Sequence, residues 1–512
     1  MIVSGPHKGI TLLLAILAIF LESCYKEMVI EEAGAWSISD RVLEFDHVFA
    51  FADKEEHLLL YKLPSDTVKS FSPFVRFGAF ESLEFNGREL KENEKNALGE
   101  VMVNHPHNVT ARNGNKSVNY QLWFTRLPLL HIHTETKITD EPKALSWLEL
   151  AYANEETESG QTLLFSGYAG IEIRGRTSAV HEKKSYGLEL WEDRFGKDRT
   201  APLLGMRYGE DWILDAMYVD PLRMRNKLSF ELWEKMWDSK SHTPFKAAPP
   251  GIQCEYVELF INQRYMGLYC LSERLDETLI NLTAGRPGSE GVLYKAIDWT
   301  GGATAFTTYN SEPGQSLIWE GWEQVYPDHR ACWDPLAELR KTVALEEDDV
   351  FSAQIDTLLN LDEVADYYLF TNMILAHDNI IKNYYLARYP NETSFLLMPW
   401  DLEGSWGIMW HGGQSSTNVV LENNLYDRLL ELDVEEFEDL LEAKWENYRE
   451  SVFRADAIMA AAMTYADILK GSGAIEREND RWQDAEIDMD QELQYLSDWI
   501  TLRLQYLDLV FD

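Results

Sequence analysis

Short hydrophobic runs separated by turn residues characterise the first 125 residues of the chain. Residues 48–51 and 57–61 have the length of β-strands, and Asn86-Gly87 and Asn113-Gly114 are dipeptides typical of tight hairpin turns. No cluster of catalytic residue types interrupts this pattern. The pattern therefore predicts a small β-sandwich of the immunoglobulin type over residues 25–125, which would space or dock the rest of the molecule.

From residue 126 onward, the pattern predicts a second region that begins with alternating strands and becomes helical after Asp401. Residues 256–261 and 265–269 are typical of a β-hairpin that turns at Asn262-Gln263. A later helix, with Asp362 as its predicted N-cap, leads to His377 and Asp378. Between them, residues 281–330 are rich in Gly, Thr and Ser and are predicted to be irregular. A chain of 512 residues is too long for one compact core, so we expect two domains.

The net charge of the chain limits the classes of molecule that it can be expected to bind. The formal net charge is −40 at pH 7, and such a surface repels nucleic acid and anionic lipid. The composition is 45% hydrophobic with 17 Trp, which suits a well-packed globular protein. Any site for a phosphate-bearing ligand must then be a local basic pocket. Arg174, Arg176, Lys183 and Lys184 form the obvious basic cluster.

The N-terminus carries an export signal. Lys8 precedes a predominantly hydrophobic run, residues 10–20, which is too short to span a bilayer and fits a signal peptide. The run ends in Leu21-Glu22-Ser23-Cys24, which looks like a bacterial lipobox in which Cys24 would be acylated. We therefore expect residues 1–24 to be a lipoprotein signal and the mature protein to lie in the cell envelope on a lipid anchor. The alternative is an ordinary secretory signal in which the cysteine has no role.

The remaining cysteines do not predict a disulfide framework. Cys254, Cys270 and Cys332 are odd in number. A two-residue turn at Asn262-Gln263 would place residue 254 opposite residue 271. Cys254 and Cys270 would then lie on opposite faces of the hairpin and would not bridge.

The strongest chemical signal is a set of three polar residues late in the chain. Asp378 and Asn383 are five residues apart, the interval between the catalytic Asp and the magnesium-binding Asn of a kinase catalytic loop. Asp401 follows eighteen residues later, directly after a hydrophobic run, where a second metal-binding Asp is expected. Carboxylate and amide oxygens are the ligands that Mg²⁺ prefers. The alternative is that these residues only cap turns.

Other residues could complete a phosphate site. Lys183 and Lys184 lie between a glycine turn and a predicted strand, from which a lysine could contact phosphate oxygens. Glu231, on a predicted helix, could pair with such a lysine. Glu273 lies where the chain leaves the predicted hairpin, the position from which a kinase passes the adenine.

Several motifs together resemble the CotH (spore coat protein H) family of atypical secreted kinases. They occur in the family's order: Arg174-Gly175-x-Thr177-Ser178 with Lys183-Lys184-Ser185-Tyr186, Trp212-x-Leu214 with Asp220 and Arg225-Asn226, Asn262-x-x-Tyr265-x-Gly267-x-Tyr269 with Glu273, Leu293-Tyr294-Lys295, Asp378-Asn379-x-x-x-Asn383-Tyr384-Tyr385, and Pro399-Trp400-Asp401-Leu402-x-x-Ser405-Trp406-Gly407. The resemblance covers about three-quarters of the chain.

The resemblance implies an α+β fold, with a two-lobed, atypical protein-kinase-like domain over residues 126–512 that follows the small all-β sandwich. It implies ATP and Mg²⁺ or Mn²⁺ in the cleft, with Asp378 as the catalytic residue and Asn383 and Asp401 as metal ligands. The same resemblance places Lys183, Lys184, Arg174 and Glu273 at the nucleotide. Three positions depart from the family pattern: Arg176 replaces Asn, Gln263 replaces a turn Gly, and Glu403 replaces a second Asp.

We therefore expect an exported, lipid-anchored kinase that transfers the γ-phosphate of ATP to a Ser or Thr hydroxyl of a protein. Two alternatives remain open. One is a non-catalytic surface lipoprotein that uses the kinase-like fold to bind a partner or a glycan. The other is a related transferase that moves a different nucleotide-derived group onto protein.

Overall fold

The computed structural model describes residues 41–153, 162–175, 178–238, 251–282 and 291–511. The predicted signal peptide, Cys24 and Arg176 lie outside the described residues. The structure combines strands and helices, as the broad fold class predicts. Within the described part of the chain, no helix has the length and hydropathy needed to cross a membrane.

The N-terminal β region, residues 41–125, consists of strands joined by short turns. Two larger sheets have the strand orders β2-β1-β6-β9 and β3-β4-β12-β11-β7-β8, and β5 pairs with β10. Its strands are β1 Leu43–Phe45, β2 Val48–Phe49, β3 Phe51–Asp53, β4 Leu58–Lys62, β5 Thr67–Phe71, β6 Phe74–Phe77, β7 Ser82–Phe85, β8 Arg88–Glu89, β9 Glu94–Lys95, β10 Gly99–Met102, β11 His107–Asn113 and β12 Lys116–Thr125.

A closed barrel follows, with the strand order β13-β14-β15-β16-β19-β21-β20. The barrel strands and a small side hairpin are β13 Leu129–His133, β14 Ala144–Ala153, β15 Thr162–Arg174, β16 Ser185–Trp191, β17 Ala201–Pro202, β18 Tyr208–Gly209, β19 Asp211–Asp215, β20 Cys254–Ile261 and β21 Arg264–Glu273. Helix α1, Arg225–Asp238, lies between β19 and β20 in sequence and buries Leu228, Leu232 and Met236, which recur every four residues.

The C-terminal α/β region, residues 291–511, is built on a sheet with the order β23-β24-β22-β25-β26. Its strands are β22 Val292–Ala296, β23 Ile318–Trp319, β24 Trp322–Tyr326, β25 Tyr384–Arg388 and β26 Leu396–Pro399. Its helices are α2 Asp334–Ala344, α3 Asp348–Leu358, α4 Leu361–Ile374, α5 Asn424–Glu431, α6 Phe437–Glu450, α7 Ala455–Gly471, α8 Ala474–Arg481 and α9 Met489–Phe511. The prediction that residues 281–330 are irregular is therefore wrong for β22 and β24.

Several barrel residues pack into the hydrophobic core of the N-terminal β region, while the barrel also has a core of its own. The core cluster of the β region includes Leu129, Ala151, Phe260 and Tyr265, all of which belong to barrel strands. The buried carboxylate of Asp53 also accepts a hydrogen bond from the backbone N–H of Tyr265 at 2.8 Å. The contact between the two parts is thus a packed interior and not a flexible hinge.

The β20–β21 hairpin corrects the prediction for its cysteines. The two-residue turn at Asn262-Gln263 forms as predicted, with Ile261 opposite Arg264. One extra residue then enters β21, because Leu259 pairs with Gly267 while Phe260 pairs with Tyr265. This bulge shifts the register by one.

As a result, Cys254 lies opposite Ser272 and Cys270 lies opposite Tyr256, so the two thiols face the same side and join the same core. Both cysteines are free. A hydrogen bond with Cys254 and then burial raise the pKa of Cys270 well above its ordinary value.

Candidate functional site

A cavity of about 620 Å³ lies between the barrel and the C-terminal α/β region. Barrel residues such as Arg174, Lys183 and Asp215 line it together with residues from the C-terminal region. It brings Asp378, Asn383 and Asp401 into one site, as their spacing predicted. The side-chain amide of Asn383 donates to Oδ2 of Asp401 at 3.2 Å.

Local structure explains this convergence. Helix α4 precedes Asp378, and its N-cap is Asn360 and not Asp362, because the Asn360 side chain accepts from the N–H of Glu363. The helix is buried along nearly its whole length and ends at Leu375 in the left-handed conformation. A 3₁₀ turn, His377–Ile380, then carries Asp378 into the cavity.

Asn379 holds the two loops of the site together. Its side-chain amide donates to the carbonyl of Asn383 at 2.8 Å and to the carbonyl of Trp400 at 2.7 Å. The backbone N–H of Trp400 donates to the same Asn383 carbonyl at 3.0 Å. The residue types are compatible with the backbone here: Asn383 and Asp401 have φ values of +59° and +56°, a region that Asn and Asp enter more readily than most residues. Left-handed residues of this kind cluster at functional sites.

Three carboxylates come together around Asp401. Although the Asp401 side chain is open to the cavity, burial among protein atoms raises its pKa, and the charge of Asp215 adds to this effect. Burial, the charge of Asp215 and a hydrogen bond with Asp215 raise the pKa of Glu403 well above its ordinary value. Asp215 itself is anchored, since it accepts from the N–H of Met217 at 3.0 Å and from the Asn226 amide at 3.1 Å. From a single sequence, Asp215 and Asn226 cannot be told apart from polar residues that only stabilise the core.

This donor set fits a hard divalent cation. Asp401, Asn383, Glu403 and Asp215 line the same cavity, and carboxylate and amide oxygens are the ligand types that Mg²⁺ prefers. After burial, the charge of Asp215 is the next cause that raises the pKa of both Asp401 and Glu403, and a bound cation would neutralise such negative charge. Glu403, a departure from the family pattern, is thus part of the site.

Two cations, Arg174 and Lys295, lie against the ring of Trp400 in the same cavity as these carboxylates. The guanidinium carbon of Arg174 lies 5.2 Å from the ring centroid of Trp400, and Nζ of Lys295 lies 5.5 Å from the same ring. Lys295 is also 5.5 Å from the ring of Tyr385, which lies opposite it on the neighbouring strand β25. Both cations line the cavity. Lys295 is the cation that the sequence analysis did not assign, because its strand falls in a stretch predicted to be irregular.

Lys183 reaches the cavity but is held by other groups. Its ammonium donates to the carbonyl of Leu268 at 2.5 Å and to Oε1 of Glu478 at 2.6 Å. Complete burial lowers the pKa of Lys183 to about 8, although the charge of Glu478 opposes this shift. The partner predicted for such a lysine, Glu231, instead pairs with Lys235 at 2.5 Å.

Two of the residues predicted to bind the nucleotide, Lys184 and Glu273, form hydrogen bonds outside the cavity. The ammonium of Lys184 donates to the carbonyls of Ala179 and His181, which closes the turn that precedes β16. Glu273 is buried and accepts from the backbone N–H groups of Arg207 and Gln253, both at 3.0 Å. Neither residue lines the cavity as the described residues form it. The structure therefore gives both residues structural partners and does not bring them to Asp401.

Comparison with known proteins shows the family to which the chain belongs. A family model described as CotH kinase protein matches residues 171–507, which is more than half of the chain. The chain belongs to the CotH kinase family. The match begins within β15 and ends within α9, so it contains Asp378, Asn383 and Asp401.

One curated relative is the inner spore coat protein H of Bacillus subtilis (strain 168). This CotH protein is 22% identical to the chain over 253 residues. The matched part is 49% of this chain and 62% of the relative, so the chain spans less than two thirds of the relative's length. The resemblance that the motifs indicated is thus confirmed at the level of the family.

Proposed function

We propose that this CotH family member is an ATP-dependent protein kinase that phosphorylates Ser or Thr hydroxyls with the help of Mg²⁺ or Mn²⁺. The observation that carries the proposal is the contact between the Asn383 amide and the Asp401 carboxylate, with Asp378 in the same cavity and two cations opposite them. In this proposal the barrel and the C-terminal α/β region are the two lobes of the kinase-like domain, and the N-terminal β region is the sandwich.

Each residue has a defined task in this reaction. Arg174 and Lys295 would contact phosphate oxygens of ATP, because they are the cations that face Asp401 across the cavity. Asp378 would orient the acceptor hydroxyl and take its proton. Lys382 donates to Oδ2 of Asp378 at 2.8 Å and so restricts the rotation of that carboxylate. The acceptor oxygen then forms a bond to the γ-phosphorus while the bond from that phosphorus to the bridging oxygen breaks, and ADP leaves.

Asn383 and Asp401 would hold the divalent cation, with Glu403 and Asp215 as further oxygen donors. When bound, such an ion neutralises the charge on the β- and γ-phosphate oxygens. Lys183, Lys184 and Glu273 would then act on the nucleotide indirectly, through the barrel loops that they hold. The name of the spore coat relative and the predicted signal peptide both favour an exported or coat-associated protein, with Cys24 as the proposed lipid anchor. The net charge of −40 disfavours nucleic acid and anionic lipid as partners.

Two differently labelled forms of ATP test the proposal. We expect label from the γ-phosphate, and none from adenosine, to become bound to Ser or Thr of protein in the presence of Mg²⁺. An Asp378→Asn variant should bind ATP and transfer no label, because the amide cannot accept the hydroxyl proton. Retention of the adenosine label would instead indicate nucleotidyl transfer. Absence of nucleotide binding at millimolar ATP and Mg²⁺ would favour the non-catalytic binding module.

The pH dependence of cation binding is a separate prediction. The pKa values of Asp401 and Glu403 are raised in the folded protein, so the free energy of unfolding falls as pH rises from ordinary carboxyl values through the folded-state values. A bound cation requires ionised ligands and removes this penalty. Without nucleotide, Mg²⁺ or Mn²⁺ should therefore raise the Tm more at about pH 8 than at about pH 5. Equal shifts at both pH values would contradict this assignment of the ligands.

A further inference from the structure

Exposed tryptophans concentrate at the mouth of the cavity. Among the described residues, Trp299 and Trp410 are the two tryptophans with strongly exposed side chains, at 63% and 52% of their maximal area. Both line the same cavity. Large exposed hydrophobic groups at one place are uncommon on soluble proteins and indicate a contact surface.

Both tryptophans lie on anchored turns. Trp299 follows Asp298, whose carboxylate accepts from the N–H of Thr300 at 3.0 Å and whose carbonyl accepts from the Thr304 hydroxyl at 2.6 Å. The turn around Trp410 is closed by the N–H of Met409, which donates to the carbonyl of Gly413 at 2.7 Å. These hydrogen bonds fix the backbone turns that present the two indoles.

The cavity has room for one small ligand, so the nucleotide and the acceptor chain would contact different surfaces. About 620 Å³ is the size of a pocket that encloses one small ligand. ATP bound next to Arg174 and Lys295 would occupy that space, so the acceptor must reach Asp378 through the mouth. Trp299 and Trp410 are exposed residues of the cavity lining, so they are available to contact a chain that enters there.

We infer that Trp299 and Trp410 bind the polypeptide segment that carries the acceptor hydroxyl, by contact with aliphatic or aromatic side chains on either side of it. A Ser or Thr side chain on an extended segment can enter the cavity while its neighbours remain on the rim. Tryptophan supplies a large, rigid contact area and is enriched among the residues that dominate binding energy. This inference rests on the proposed kinase function and specifies which residues select its substrate.

The test uses the full chain with degenerate Ser/Thr peptide libraries as the probe. In Trp299→Ala and in Trp410→Ala, we expect the KM for peptide to rise about tenfold or more, while the KM for ATP changes by less than about twofold. Phe195→Ala is the matched control, since Phe195 is a 74% exposed aromatic residue that does not line the cavity. It should leave both constants unchanged.

A second measurement keeps this inference separate from the proposed reaction. Binding of the same peptides to the Asp378→Asn variant, followed by tryptophan fluorescence, requires no phosphate transfer. A spectral shift in that variant, together with weaker binding of a dye-labelled peptide by anisotropy when Trp299 or Trp410 is also replaced, supports the inference even if no kinase activity is found. Unchanged peptide binding in both tryptophan variants overturns the inference. Binding of soluble glycan fragments without any binding of peptide would also overturn it, in favour of a polysaccharide ligand.

Discussion

Replacing Asp401 with asparagine will reduce phosphate transfer by about a thousandfold or more, because the substitution removes charge from the centre of the site. The amide keeps the shape of the side chain, so the contact with Asn383 can persist while the negative charge that would attract Mg²⁺ is lost. The rate should be measured as γ-phosphate incorporation at saturating ATP and Mg²⁺.

The same variant should be more stable than the parent when no divalent cation is present. The pKa of Asp401 is raised by burial and by Asp215, so its charge disfavours the folded state at neutral pH. Removing this charge therefore increases the free energy of unfolding, which chemical denaturation measures. A loss of activity combined with a gain in stability is a result that a merely structural Asp401 would not give.

Asp433→Asn provides the control for this experiment. Asp433 also has a left-handed backbone, with φ of +44°, and is exposed outside the cavity. Its replacement should leave the rate of transfer unchanged. Transfer by Asp401→Asn at more than about a tenth of the parental rate would remove Asp401 from the proposed role.

The largest effect on stability is expected at Glu478. Oε1 of this buried carboxylate accepts from Lys183 at 2.6 Å and from Arg223 at 3.3 Å, and Oε2 accepts from the N–H of Leu268 at 2.8 Å. Glu478→Gln leaves two buried cations without their shared counter-charge. Breaking a buried ion pair in this way typically costs about 3–5 kcal/mol. Denaturant unfolding of Glu478→Gln and of Glu476→Gln, an exposed residue on the same helix, measures the difference.

The pH dependence distinguishes this cause from a general packing defect. The folded-state pKa of Lys183 is about 8, below the ordinary lysine value. The unfolded chain therefore binds more protons between these two pKa values, and this lysine makes the free energy of unfolding rise with pH across that window. Without the Glu478 charge the folded-state pKa should fall further, so the rise should begin at a lower pH in the variant. Parallel pH profiles would indicate that the loss of stability has another origin.

The separation between residues in the chain explains which parts of the site could be predicted. Asp378, Asn383 and Asp401 lie within 24 residues, and their spacing reflects a turn and two adjacent strands that local pattern can predict. The pairing of Lys183 with Glu478 spans 295 residues and depends on the position of α8 against the barrel. Local periodicity carries no information about such a contact, and Glu231 was an equally reasonable partner.

Single residues also decide register and exposure in ways that pattern does not show. The extra residue in β21 moved Cys270 to the same face as Cys254, although the turn itself was predicted correctly. The sequence names Lys295 within the motif Leu293-Tyr294-Lys295 but assigns it no role, because its position beside Trp400 and Tyr385 depends on the pairing of β22 with β24 and β25.

Barrel residues pack into the core of the N-terminal β region, so changes in residues 41–125 can affect the barrel. Removing residues 41–125 would expose Phe260 and Tyr265 to water, and these residues lie in the same two strands as Glu258 and Leu268, which bond to helix α8. A substitution in the N-terminal β region can therefore disturb the two barrel strands that bond to helix α8, although none of the described residues of that region lines the cavity.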